Sequence, residues 1–305
     1  MGSALFHAYM LPWRMFDYTY IDSDSKLDSQ LEFWHSHDII SIAMDFEGEF
    51  NLHIYGEHLC LVQVFDGAAY FLIDPLNISE QALRRFLEDP AIEKVMFDCA
   101  SDASLVRKQY GIILKNVHDV RLSAKLVGYE GNLTGLVERC LQIPAATGKK
   151  GNQTANWLTR PIKPNLIEYA LSDVEHLFTI REVLAKEILA AGLQTKDVEL
   201  QASAAVQKGP DRPGYEKLNG FRYLSNEQKV YLKWFFDARD MLARKLNQPA
   251  YRILDKRVLV DMAKKVPAGQ AEFRSVVRHR DKRVEDDLVA LLMVALEGAT
   301  KELQR

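Results

Sequence analysis

Short apolar runs separated by turn signals fill the first third of the chain. The turn signals are Gly56-Glu57 and Asp66-Gly67, which separate runs rich in β-branched and aromatic residues. This pattern is typical of strands joined by tight connections. The predicted strands are residues 39–47 (IISIAMDFE), 50–55 (FNLHIY), 58–65 (HLCLVQVF) and 69–74 (AYFLID).

From residue 79 onward the apolar residues recur with helical spacing. Ser79 precedes the first such stretch and is the predicted N-cap. The predicted helices are 79–89, 102–110, 119–127, 133–141 and 164–191, and a short buried strand is predicted at 93–97. Strands followed by strand–helix alternation predict an α/β domain in which helices flank a mixed sheet.

A polar segment rich in proline and glycine, QKGPDRPG at 207–214, interrupts this pattern. After it only amphipathic helices are predicted, at 225–246, 256–265, 270–279 and 284–303. We therefore predict a first domain at 1–206, a linker at 207–214 and a small all-α domain at 215–305.

The net charge of −3 conceals an asymmetry. Residues 215–283 contain 17 Lys and Arg against 8 Asp and Glu, which is +9, and the rest of the chain carries −12. This distribution indicates chemistry in the acidic part and a grip on a polyanion in the basic part, although uneven charge without function remains an alternative. No run of 18 apolar residues and no basic leader occurs, so we expect a cytoplasmic protein without a membrane partner.

Two carboxylates end the first predicted core strand. Asp45 and Glu47 are two residues apart, so their side chains share one face of the strand. Such a pair is either a solvated strand end or half of a metal site. Further acids follow core elements: Asp102 after the strand KVMF, and Asp173 four residues beyond Tyr169 on a predicted helix. If these four acids converge, oxygen-only ligands would suit Mg²⁺ or Mn²⁺.

These segments resemble the motifs of the ribonuclease D family. DFE at 45–47, KVMFDCASD ending at Asp102 and WLTRPIKPNLIEYALSD at 157–173 resemble its three exonuclease motifs, in the family's order. HDVRLSAKLVG at 118–128 resembles the stretch between the second and third motifs. YLKWFFDARDMLARKLNQPAYRILDKRVLVDMAKKVP at 231–267 resembles the helicase-and-RNase-D C-terminal (HRDC) domain. The resemblance spans about residues 20–270.

The resemblance implies a ribonuclease-H-like exonuclease domain followed by an HRDC-like domain that binds nucleic acid. It implies a 3′→5′ exoribonuclease that trims RNA 3′ ends, such as those of tRNA precursors, and releases nucleoside 5′-monophosphates. Asp45, Glu47, Asp102 and Asp173 would hold two Mg²⁺ or Mn²⁺ ions, and Tyr169 would orient the attacking water. Alternatives are the same reaction on DNA or very short oligonucleotides, and a non-catalytic RNA-binding protein.

Residues near the motifs admit more than one interpretation. Lys150, Gln153 and Arg160 are candidate substrate contacts, although a solvated loop is equally compatible with this segment. Asp98 is expected near the site but not as a ligand, and Asp119 is expected to be a helix N-cap. The basic run FRSVVRHRDKR at 273–283 is either an exposed helix face or a phosphate-binding stripe.

Overall fold

The computed structural model describes residues 16–144, 151–152, 154–206 and 211–305. Within them the chain forms two compact units. The first contains the described residues up to Gly48 and from His58 to Val206, and the second contains Glu49–Glu57 together with the described residues from Asp211 onward. The sequence-based boundaries place residues 49–57 in the first domain, so this segment differs from the expectation. The predicted linker limits at 207–214 stay a prediction, since 207–210 lie outside the described residues.

The first unit is built on a six-stranded sheet. Its strands are β1 (Tyr18–Ile21), β2 (Ser41–Phe50), β3 (Glu57–Phe65), β4 (Tyr70–Ile73), β5 (Glu93–Met96) and β6 (Val117–Asp119). They lie in the order β1-β4-β3-β2-β5-β6. β3 runs antiparallel to β4, while the pairs β1–β4, β2–β5 and β5–β6 are parallel. The predicted α/β architecture with a mixed sheet is confirmed.

Helices cover both faces of this sheet. They are α1 (Asp24–Ser36), α2 (Glu80–Leu87), α3 (Ala100–Tyr110), α4 (Val120–Leu126), α5 (Leu133–Leu141), α6 (Pro164–Val174), α7 (Leu177–Ala190) and α8 (Gln194–Gln201). The period of two along β2 explains the layers, because Met44 packs into a core with α1 and α2 while Ala43 packs against α4 and α7 on the opposite face. Ser79 caps α2, as predicted, by accepting a hydrogen bond from the Ala82 amide.

Two of the predicted elements are wrong. The strand predicted at 50–55 does not form beyond Phe50, because Asn51 has a left-handed backbone (φ 60°) and the Glu49 carboxylate accepts the amides of Leu52 and His53. These contacts replace a strand ladder. The helix predicted over 164–191 is two helices, since the backbone at His176 (φ −108°, ψ 0°) departs from helical geometry between α6 and α7.

The second unit contains helices only, apart from the segment 49–57. They are α9 (Asn226–Leu246), α10 (Ala250–Ile253), α11 (Lys256–Lys264), α12 (Gln270–Val276) and α13 (Lys282–Leu303). Leu232, Phe235 and Leu292 are among its fully buried side chains. The predicted all-α region is confirmed, and no described helix of either unit is long and apolar enough to cross a membrane.

The segment 49–57 is held in the second unit by two tyrosines. The Tyr55 hydroxyl donates to Asp240 (3.2 Å), and the Arg244 guanidinium lies over the Tyr55 ring at 5.5 Å. The Tyr251 hydroxyl donates to the Leu52 carbonyl (3.1 Å). A connection between two strands is therefore part of the helical unit's packing.

An ion pair fixes the loop that precedes α6. Arg160 donates to both oxygens of Asp74, at 2.7 and 2.8 Å, and to the carbonyls of Cys60 and Trp157. Asp74 is 1% exposed and also accepts the Tyr20 hydroxyl at 2.6 Å. The guanidinium thus connects the loop to β3 and to the end of β4.

We expect this ion pair to contribute strongly to stability. Arg160→Met leaves the buried Asp74 carboxylate without its cation, which should lower the free energy of unfolding by about 3–5 kcal/mol. Arg85→Met is the matched control, because its partner Asp28 is exposed, and it should cost about 0–1 kcal/mol. Urea denaturation measures both, and equal losses would contradict the assignment.

Candidate active site

Asp45 and Glu47 lie on the face of β2 that Ala43 occupies. Ala43 packs in a cluster with Val174 and Leu177, so this face of the strand is covered by the end of α6 and the start of α7. Phe46 points to the opposite face and is buried there. Strand alternation therefore directs both carboxylates toward the helix pair.

Asp173 and Tyr169 approach from α6. They are one helical turn apart and share a face of the helix. Tyr169 is 9% exposed, and the centre of its ring lies 6.2 Å from that of the buried Trp157. Trp157 belongs to the loop that Arg160 connects to Asp74. Packing of Trp157 against Tyr169 thus helps to fix the helix that carries both candidate residues.

Three of the four predicted acids form a tight group. Asp45, Glu47 and Asp173 each offer a carboxylate oxygen, and these oxygens lie within 4.8 Å of one another. Like charges at this separation repel strongly unless a proton or a cation lies between them. The group therefore has the geometry and the donor type of a metal site.

Asp102 lies close to this group without being one of the three. It is in the first turn of α3, immediately after β5, and only 9% of its surface is exposed. Its charge raises the pKa of both Asp45 and Glu47, which places it within electrostatic range of both side chains. The fold thus brings Asp173 close to Asp45 and Glu47, although it lies at least 126 positions from either of them along the chain.

The pKa values of these acids show the cost of the arrangement. Burial raises the pKa of Asp45 well above its usual range, and the charges of Asp102 and Asp173 raise it further. Burial likewise raises the pKa of Glu47, and the charges of Asp45, Asp173 and Asp102 raise it further. For Asp102, burial together with Asp98 and Asp119 raises the pKa to about 8. A divalent cation would remove most of this penalty, because it favours the ionised carboxylates.

Asp98 and Asp119 surround Asp102 without joining the group of three. Asp98 has a left-handed backbone (φ 59°) and pairs with Arg121. Asp119 caps α4 by accepting the Arg121 amide (2.9 Å), as predicted, and it also accepts the amides of Asp98 (2.8 Å) and Cys99 (3.1 Å). Asp119 therefore fixes the turn between β5 and α3 from which Asp102 projects.

The candidate substrate contacts fall in different places. Lys150 and Gln153 lie outside the described residues. The guanidinium of Arg160 donates to Asp74 and to backbone carbonyls. These contacts do not favour the predicted contact with substrate, which stays a prediction. In the basic run 273–283, α12 ends at Val276 and α13 begins at Lys282, so the run is not one helix face.

One residue at this site escaped the sequence analysis. Gln63 is wholly buried on β3, and its Nε2 donates to Asp45 Oδ2 at 2.9 Å. The available signal was a single amide inside the apolar run HLCLVQVF. A buried polar side chain in a core strand needs a partner, and here the partner is a candidate ligand.

The comparisons with known proteins agree with this geometry. Residues 18–189 match the family model described as 3′-5′ exonuclease, and residues 229–293 match the HRDC domain. The chain is 26% identical over 286 residues to "Ribonuclease D" of Pseudomonas paraeruginosa, covering 92% of this chain and 74% of that protein. It is 28% identical over 218 residues to "Ribonuclease D" of Xanthomonas oryzae pv. oryzae, covering 70% and 60% respectively.

Solved structures share the fold. The crystal structure of Escherichia coli RNase D matches with a TM-score of 0.74 at 24% identity, over 92% of this chain and 76% of that chain. The catalytic core of RRP6 from Trypanosoma brucei matches with a TM-score of 0.73 at 21% identity, over 94% and 81%. The exonuclease match covers more than half of the chain and contains all four acids and Tyr169. The chain therefore belongs to the 3′-5′ exonuclease family.

Proposed function

We propose that this protein is a divalent-metal-dependent 3′→5′ exoribonuclease that releases nucleoside 5′-monophosphates from RNA 3′ ends. The observation that carries the proposal is the group formed by Asp45, Glu47 and Asp173, with carboxylate oxygens within 4.8 Å of one another. Its position inside the matched exonuclease region supports a hydrolytic role.

Asp45, Glu47, Asp102 and Asp173 would hold the cations, two Mg²⁺ or Mn²⁺ ions in our proposal. The donor set fits such ions, because it is made of oxygens only and the raised pKa values of Asp45, Glu47 and Asp102 indicate negative charge without sufficient compensation. When bound, these ions supply charge stabilisation at the scissile phosphate and lower the pKa of a coordinated water.

Tyr169 supplies the remaining polar group of the proposed reaction. A tyrosine hydroxyl ordinarily keeps its proton at neutral pH, so positioning the attacking water suits it better than acting as a free base. Its place one turn before Asp173 keeps the hydroxyl-bearing ring on the face of α6 that carries this ligand. Burial of the ring restricts its motion and thereby preserves its orientation.

RNA is the proposed substrate because a relative that matches 92% of this chain bears the name ribonuclease D. The second unit, with the HRDC match, would grip the RNA away from the reacting end through the basic residues of 215–283. A cytoplasmic location is part of the same proposal.

Hydrolysis of end-labelled oligonucleotides tests the proposal. The protein is incubated with 5′-labelled RNA and DNA of the same sequence, and with a dinucleotide, in Mg²⁺, Mn²⁺ or EDTA. We expect a ladder shortened from the 3′ end of RNA, formed only with metal. Cleavage of DNA alone, or of the dinucleotide alone, would show that the proposed substrate is wrong. If none of the three is cleaved, the result would favour a non-catalytic RNA-binding protein.

The first prediction from the proposed function concerns the acids. Asp45→Ala, Glu47→Ala, Asp102→Asn and Asp173→Asn should each lower kcat by about 10²–10³-fold or more, because each removes part of the charge stabilisation at the phosphate. Asp98→Asn is the control and should change kcat by less than about tenfold. Equal losses for Asp98→Asn and Asp102→Asn would mean that the wrong aspartate is assigned.

The second prediction is a pH dependence of the metal-free protein. The folded-state pKa of Asp102 is raised to about 8, so the folded state binds more protons than the unfolded state between about pH 4 and 8. Its contribution to stability is therefore lost as pH rises through this window. Thermal unfolding in EDTA should show a steeper fall in Tm toward pH 8 for the wild type than for Asp102→Asn.

Added Mn²⁺ should reverse this trend. Because the ligands must lose protons to bind metal, affinity should rise by about tenfold per pH unit for each proton released. The gain in Tm on adding Mn²⁺ should accordingly be larger at pH 8 than at pH 5.5. A gain independent of pH would exclude these carboxylates as the binding groups.

The third prediction separates Tyr169 from the metal ligands. Tyr169→Phe should lower kcat by about 10²–10⁴-fold, the range of a lost positioning or acid–base group. Mn²⁺ affinity measured by calorimetry should stay within about twofold, since the phenol is not a proposed ligand. Loss of Mn²⁺ binding in this variant would refute the division of roles.

A further inference from the structure

The side chain of Gln63 donates a hydrogen bond to the carboxylate of Asp45. Its Nε2 donates to Asp45 Oδ2 at 2.9 Å from the neighbouring strand β3. The amide is 0% exposed and lies in a strand whose other buried members are apolar. A water molecule at the surface therefore cannot easily replace it.

The other end of this amide is unsatisfied. Gln63 Oε1 is buried and has no hydrogen-bond partner among the described residues. An unpaired buried carbonyl oxygen destabilises the folded state, and an apolar residue of the same size would avoid that cost. The contact with Asp45 is the compensation that the site offers, which indicates that the residue serves the carboxylate.

A hydrogen bond at Oδ2 restricts how Asp45 can turn. The bond from Gln63 engages Oδ2, and a carboxylate oxygen of Asp45 lies within 4.8 Å of carboxylate oxygens of Glu47 and Asp173. Ligands of a metal site are commonly oriented in this way by a hydrogen bond from a neighbouring residue. An amide suits the role because it donates without bringing a positive charge that would compete with a cation.

From this geometry we infer that Gln63 is a positioning residue that orients Asp45 for divalent-metal binding. The inference rests on the proposed function, because it assumes that Asp45 is a metal ligand. It adds that a residue of β3, which contributes no ligand, sets the affinity of the site. Its amide acts through Asp45 and does not itself touch the metal or the substrate.

Mn²⁺ titration of the metal-free full chain tests this inference. Gln63→Met keeps the length of the side chain and removes the donor. We expect it to weaken Mn²⁺ binding by about 10–100-fold in calorimetry, the usual effect of losing a residue that orients a ligand. Its unfolding free energy in EDTA should change little, because the loss of the hydrogen bond to Asp45 is offset by removal of the unpaired Oε1.

Gln109→Met is the matched control. Gln109 Oε1 accepts the Leu59 amide at 2.7 Å, so the same substitution removes an amide contact to the same strand β3 without touching Asp45. This variant should lose stability and keep the wild-type Mn²⁺ affinity. The inference is supported if Gln63→Met loses Mn²⁺ affinity with little change in stability, while Gln109→Met loses stability and keeps its Mn²⁺ affinity.

Several outcomes would overturn the inference. Wild-type Mn²⁺ affinity in Gln63→Met, or an equal loss in Gln109→Met, would show that the amide does not position the ligand. If Gln63→Met does not fold, the Mn²⁺ affinity of Gln63→Leu is measured instead. If neither variant folds, Gln63 is needed for folding and the inference is overturned. Failure of the proposed function is distinguishable, because the wild type itself would then neither bind Mn²⁺ nor cleave RNA.

Discussion

Repulsion among buried carboxylates is the constraint on which the rest of this structure depends. Asp45, Glu47 and Asp173 bring oxygens within 4.8 Å of one another, and Asp102 adds its charge nearby. Burial and repulsion by neighbouring carboxylates raise the pKa values of Asp45, Glu47 and Asp102, so the metal-free site is held together against an electrostatic cost. Such a cost persists in a fold only where surrounding packing fixes the groups, and it is offset when a cation binds.

The surrounding contacts supply that fixation from three directions. Strand alternation in β2 turns Asp45 and Glu47 toward α6, and Asp119 holds the turn from which Asp102 projects. The loop before α6 is tied to the sheet by the ion pair between Arg160 and Asp74. Residues outside the group of acids therefore account for much of its geometry.

The second unit shows how a small helical domain can include a piece of chain from elsewhere. The segment 49–57 begins at the end of the strand that carries Asp45 and Glu47, and its residues contact Asp240, Arg244 and Tyr251. Domain boundaries drawn along the sequence cannot show this, because composition changes at 207–214 and not at residue 49.

The sequence by itself determined the α/β class, the all-α region and the acids, because strand alternation, helix periodicity and short motifs are local signals. It could not determine which helix face meets which strand. The break between α6 and α7 at His176, the irregular path of residues 51–56 and the pairing of Arg160 with Asp74 depend on long-range contacts. The inferred role of Gln63 also depends on the fold. The sequence shows only one amide in an apolar run, and the structure shows that this amide lies 2.9 Å from the Asp45 carboxylate.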